Sequence, residues 1–100
     1  MGELRFTWDA RKSALNKRKH GVSFEEAQTV FSDEEALFMA DPDHSETEDR
    51  FILLGVSASL RVLVVCHCHR ENADGETIRI ISARKAGRTE RETYDQRRTR

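Results

Sequence analysis

Long apolar runs are missing from this 100-residue chain. Runs such as residues 51–54 and 62–66 fall far short of the roughly 18 apolar residues that a membrane helix needs, and the polar N-terminus lacks the apolar segment of a signal peptide. The expectation is a cytoplasmic protein with no membrane partner. Cysteine is scarce as well. Cys66 and Cys68 stand two apart in a strand-like run, where their side chains share a face but sit too far apart for an easy mutual bond, which excludes a disulfide scaffold. Proline, tryptophan and tyrosine occur once each, and the chain has no repeat, low-complexity stretch or linker. Net charge is nearly absent too, since 17 Lys and Arg against 18 Asp and Glu leave −1.

What is present bounds the chain to a single domain over residues 1–100, because two cores in so short a chain would each be marginal. An apolar fraction of 37% beside 35% charged residues suits one core under a heavily charged surface and excludes the disordered class. The small net charge is a cancellation. Residues 1–20 hold six basic and two acidic side chains, residues 22–49 hold ten acidic and no basic ones, and residues 84–100 hold seven basic and three acidic. Basic ends converging on one side of a sheet would bind the phosphates of a nucleic acid whatever its sequence. The acidic middle suits either docking of a basic partner or plain solubility.

Leu4, Phe6 and Trp8 alternate with polar residues as in a half-buried strand, and Asp9 offers an N-cap to a basic helix over residues 10–20 that Gly21 stops. Ser23 caps the next helix, with Glu26 completing a capping box, and Phe24, Ala27, Val30 and Phe31 recur at helical spacing. Residues 36–40 read as a strand stopped by Asp41-Pro42-Asp43, with a polar loop after it. Residues 50–56, 61–70 and 77–83 follow as strands of an antiparallel meander, in which Gly55 suggests a bulge or bend. A last helix starts near residue 87, capped by Gly87 or by Thr89 with Glu92, and Tyr94 is its only large apolar handle. The layout β-α-α-β-β-β-β-α predicts an α+β domain with its helices on one side of an antiparallel sheet.

Cys66-His67-Cys68-His69 invites a zinc reading that strand alternation opposes, because the cysteines and histidines fall on opposite faces and no metal-ligand spacing completes a set elsewhere. No metal or other cofactor is expected. His20 and His44 stand at element boundaries and can exchange protons near neutral pH, and His44 precedes Glu48 and Arg50 at the start of a core strand. Arg79, set amid Ile78, Ile80 and Ile81, must aim at solvent or at an anion such as a phosphate.

The pattern Asp9-x-x-Lys12-x-x-x-Asn16-x-x-Lys19-His20-Gly21-Val22-Ser23-Phe24-x-x-Ala27, then Phe31-x-Asp33, Asp41-x-x-His44-x-x-x-Glu48-x-Arg50, Gly55, and the block from Ile78 to Ala86 with Glu90 and Tyr94, closely resembles the BrnT family of bacterial toxins over nearly the whole chain. The resemblance implies a RelE-like fold, a ribonuclease toxin of a type II toxin–antitoxin system, and a ribbon-helix-helix antitoxin, BrnA, whose complex with the toxin binds promoter DNA. Gly87 departs from the family's usual threonine, and a slightly frayed last helix is the expectation. Metal-independent RNA cleavage requires deprotonation of the 2′-hydroxyl, stabilisation of charge on phosphorus and protonation of the leaving 5′-oxygen. On that chemistry Arg79 and Arg84 stabilise the phosphate with Arg50 and Arg70 in support, His44, Glu48 and Tyr94 are the proton-transfer candidates, and Lys12, Lys19 and His20 hold the RNA backbone. Structural ion pairing of Glu48 with Arg50 or of Glu90 with Arg84, and a Tyr94 that simply pins the last helix to the sheet, are the competing readings. A non-catalytic module that binds a basic partner and nucleic acid, acting in transcriptional autoregulation, is the alternative function.

Overall fold

The computed structural model describes residues 3–41 and 49–99. Its elements are β1 (Glu3–Thr7), α1 (Ala10–His20), α2 (Phe24–Thr29) running into a 3-10 turn (Val30–Ser32), β2 (Leu37–Ala40), β3 (Arg50–Val56), β4 (Val62–Asn72), β5 (Gly75–Lys85) and α3 (Arg88–Arg98). Local sequence sets most of these limits. Asp9 Oδ1 accepts from the Arg11 and Lys12 amides at 2.8 and 3.2 Å, and Gly21 ends α1 in the left-handed region at φ 74°. Ser23 Oγ accepts from the Glu26 amide at 3.1 Å, but the Glu26 carboxylate goes to Ser57 and Arg61 rather than closing a capping box. At α3 the start is Gly87, whose N–H donates to Glu90 Oε1 at 2.8 Å.

The five strands form one sheet in the order β1-β5-β4-β3-β2. The predicted meander is present, with β2, β3, β4 and β5 antiparallel in succession, but β1 pairs in parallel with β5, so the sheet is mixed rather than antiparallel. The helices also occupy both faces, a second correction. On one face Val22, Phe24, Ala27 and Val30 pack against Leu53, Leu63, Val65, Ile78, Ile80 and Ala83. On the other, Tyr94 and Ala86 pack against Leu54 and Val64, flanked by Ile52, Val56 and Val62. Continuous apolar runs in β3 and β4 need cover on both faces, and α3 supplies the second cover.

Gly55 makes no bulge, because pairing runs unbroken from Arg50 opposite Cys68 to Val56 opposite Val62. The irregularity lies between Cys66/His67 and β5, where Cys66 faces Ser82 and His67 faces Ile80. Gly55 instead permits a close approach, since a Cβ there would stand 2.9 Å from Val30 Cγ1, Ala36 Cβ and Asp33 Oδ2.

Two polar side chains complete the ladder where strands run past their neighbours. β1 pairs with β5 only up to Arg79, and beyond it the Asn16 amide of α1 donates to Ala83 O at 2.7 Å and accepts from Ala83 N at 3.2 Å. β2 pairs with β3 only up to Leu54, and beyond it Asp33 Oδ2 accepts from Val56 N at 2.8 Å. Each takes up backbone groups that would otherwise be left unsatisfied.

Candidate functional site: an arginine-bearing sheet face

Side chains alternate across a strand, so the residues between core positions point to the opposite face. Ile78, Ile80 and Leu63 belong to the core under α2, which turns Arg79 and Arg84 of β5 and Cys66, Cys68 and Arg70 of β4 to the face that carries α3. The register then sets Arg50 opposite Cys68, Cys68 opposite Arg79, and Arg79 beside Thr7, a row across four strands. With strands about 4.8 Å apart, Arg50 and Arg79 start about 10 Å from each other. A second row runs Arg70, Thr77, Arg5. Four arginines therefore share the part of this face near β1 and the distal halves of β4 and β5, while α3 covers the end at Leu54 and Val64.

Their environments differ. Arg70 and Arg79 are exposed, and neither has a hydrogen-bond or ion-pair partner for its side chain among the described residues. Arg50 is half-buried. Arg84 gives Nη1 and Nη2 to the two carboxylate oxygens of Glu90 at 2.8 and 2.9 Å. That guanidinium, with the Gly87 N–H, holds Glu90 down at a pKa of about 2. Glu90 thus ties β5 to the first turn of α3. The Cys66 thiol is pushed up to about 11 by burial and by the Asp41 carboxylate, to which its Sγ donates at 3.5 Å, so at neutral pH it is not a nucleophile.

Tyr94 is 1% exposed. Its hydroxyl donates to Asp33 Oδ2 at 2.5 Å, and burial with the carboxylate raises its pKa to about 12. Tyr94 reaches from the α3 face to the same carboxylate that completes the β3 edge, locking the two layers together. His44 and Glu48 lie outside the described residues. Lys12 and Lys19 precede and follow Asn16 by four and three residues and lie on its stripe of α1, beside the open edge of β5. His20 is exposed at the last turn of α1. The structure therefore brings Arg50, Arg70 and Arg79 together and sets the Lys12–Lys19 stripe along the neighbouring edge. The two basic helices do not converge on one face of the sheet, because α1 lies along the β5 edge and α3 on the far face.

Arg5 was not among the residues singled out from sequence, although the alternation Leu4-Arg5-Phe6 already separates it from the core face. His67 and His69 lie on the opposite face from the cysteines, as alternation requires. His67 is fully buried, with its ring 4.9 Å from Phe31 and 5.6 Å from Phe38, and Nδ1 lies 3.3 Å from Val65 O. Desolvation lowers its pKa to about 4. His69 Nε2 is 3.0 Å from Glu76.

No helix among the described residues is long and apolar enough to cross a membrane. The fold is similar to that of the crystal structure of the Brucella abortus ribonuclease toxin, BrnT, with a TM-score of 0.63 and 22% identity over 86% of this chain and the whole of that one. No curated protein matches the chain. Residues 8–90 match the family model described as the ribonuclease toxin, BrnT, of type II toxin–antitoxin systems. A match over that much of the chain shows the relationship, and the protein belongs to the BrnT family of ribonuclease toxins.

Proposed function

We propose that this toxin is a metal-independent endoribonuclease that cuts cellular RNA on the arginine-bearing face, halting translation and growth, and that a BrnA-like ribbon-helix-helix antitoxin neutralises it. The observation that carries the reading is Arg79, exposed in the middle of that face with no partner among the described residues and with Arg50 in the same cross-strand row. A guanidinium so placed is a fork of donors aimed at a phosphate. In the reaction the 2′-oxygen loses its proton and attacks the adjacent phosphorus while the bond to the 5′-oxygen breaks and that oxygen takes a proton. Arg79 carries the growing charge on phosphorus, with Arg50 and Arg70 in support.

Arg84 works differently in this reading. Its nitrogens are engaged by Glu90, so it positions the β5 end of the site and meets phosphate only when that pair opens. Tyr94 likewise braces α3 through Asp33. His44 and Glu48 remain the proton-transfer groups. They stand six and two residues ahead of Arg50 in the sequence. Lys12, Lys19 and His20 guide the RNA backbone along α1, and promoter DNA is bound by the toxin only in complex with its antitoxin.

Incubation of the purified protein with RNA in EDTA tests the reading. Cleavage that survives chelation supports it, and cleavage lost to EDTA replaces it with a metal-dependent one. No cleavage at all favours a non-catalytic module acting in autoregulation. In cells, the expected result is growth arrest on induction that is rescued by the product of the adjacent gene.

A further inference from the structure

β2 is a four-residue edge strand (Leu37–Ala40) paired on one side only. The Asp41 N–H donates to Arg50 O, so residues 37, 39 and 41 turn their backbone groups to β3, and Phe38 and Ala40 turn theirs outward. Those outward groups have no partner among the described residues. The side chains beside them are apolar and exposed. Phe38 is 55% exposed on one face, stacked on Phe51 at 4.8 Å and near His69, and Met39 is 42% exposed on the other. An open strand edge with apolar side chains on both faces is a template for strand addition.

Charge selects the occupant. Glu34 and Glu35 are exposed just ahead of β2, and Arg97 reaches only the Glu35 carbonyl. Residues 22–49 contain ten acidic and no basic side chains. A second copy of the chain pairing through β2 would set acids against acids, and RNA would be repelled. We infer that the outer edge of β2 receives an extended, cationic segment of the antitoxin as a sixth strand, with alternate apolar side chains on Phe38 and Met39. The inference rests on the antitoxin reading above and adds to it a docking site on the β2 edge, at the opposite side of the sheet from β1, so that the antitoxin holds the toxin by its acidic edge while the rest of it covers the site.

Amide hydrogen exchange of the wild-type toxin, alone and with the purified product of the adjacent gene, is the direct test. The Phe38 and Ala40 amides should slow at least tenfold in the complex. A complex that forms without slowing them overturns the inference and leaves the antitoxin reading standing. Slowing in the toxin alone that rises with its concentration assigns the edge to a second copy and overturns it too. If the gene product does not bind the wild-type toxin, the antitoxin reading falls and the inference with it. Ala40→Pro removes one outward N–H while sparing the β3 pairing, as proline is tolerated at such an edge position. It should weaken the complex at least tenfold, about 1.4 kcal/mol, with RNA cleavage unchanged. Glu34→Gln with Glu35→Gln should weaken it at low salt and flatten its salt dependence. Undiminished affinity in either variant counts against the inference.

Discussion

Arg79 and Arg84 lie on one strand and one face, yet their surroundings differ, and so do the effects expected of replacing them. Arg79→Ala removes an exposed guanidinium with no partner among the described residues, so RNA cleavage should fall at least tenfold while the thermal midpoint stays put. Arg84→Ala breaks a half-exposed bidentate pair and should lower stability by about 0.5–1 kcal/mol, seen as a drop of a few degrees in a thermal melt. A loss of cleavage confined to Arg84→Ala would reverse the two assignments. Gly55→Ala would press a methyl against Val30, Ala36 and the Asp33 carboxylate at 2.9 Å, and the cost should be about 1–3 kcal/mol by denaturant titration. Much at this scale was legible in sequence. Asp9, Gly21 and Ser23 sit at the caps predicted for them, because capping chemistry is local. Glu26 did not close its box, because its partners Ser57 and Arg61 are 31 and 35 residues away, and no local pattern shows them.

Among the elements, α3 has one large buried side chain, Tyr94, whose hydroxyl links it to Asp33, while Glu90 at its start pairs with Arg84 and Arg97 near its end donates to the Glu35 carbonyl. Tyr94→Phe keeps the ring in place but strips the hydroxyl from a carboxylate that also holds Val56 N. The expected loss is about 1–2 kcal/mol, with faster amide exchange along α3 and at Val56 and no change in exchange under α2. A uniform rise everywhere would mean that the two layers open as one. Element types were readable because strand alternation and helical spacing are properties of neighbours in sequence. Which face α3 would choose was not, since a helix with one apolar handle carries no stripe that says which surface it covers. The apolar runs of β3 and β4 held the missing hint, because a strand apolar at successive positions needs cover on both sides. Parallel pairing of β1 with β5 joins the first strand to the last, a contact between distant segments that composition and spacing do not record.

For the whole molecule, the buried histidine sets an acid limit. His67 has a pKa of about 4 in the folded protein and an ordinary value near 6.5 when unfolded. Between those values the unfolded chain binds a proton that the folded one refuses, so stability is full above about pH 6.5, falls as the pH drops, and levels for this group below about 4. A shift of that size corresponds to about 3 kcal/mol. The carboxylates act in a lower window. Arg61 lowers Glu26, the Tyr94 hydroxyl lowers Asp33 against the opposing effect of burial, and Arg84 brings Glu90 to about 2. Their contribution is present above the usual carboxylate range and lost as pH falls through the lowered values. The two windows can be separated by experiment. His67→Leu replaces the ring with an apolar side chain among Phe31, Phe38 and Phe51 and should flatten denaturant-derived stability between pH 6.5 and 4 while leaving the decline below pH 4 in place. A wild-type curve already flat from pH 6.5 to 4 would show that the ring is hydrated in solution. A variant that still loses about 3 kcal/mol over that range would place the acid-sensitive group elsewhere.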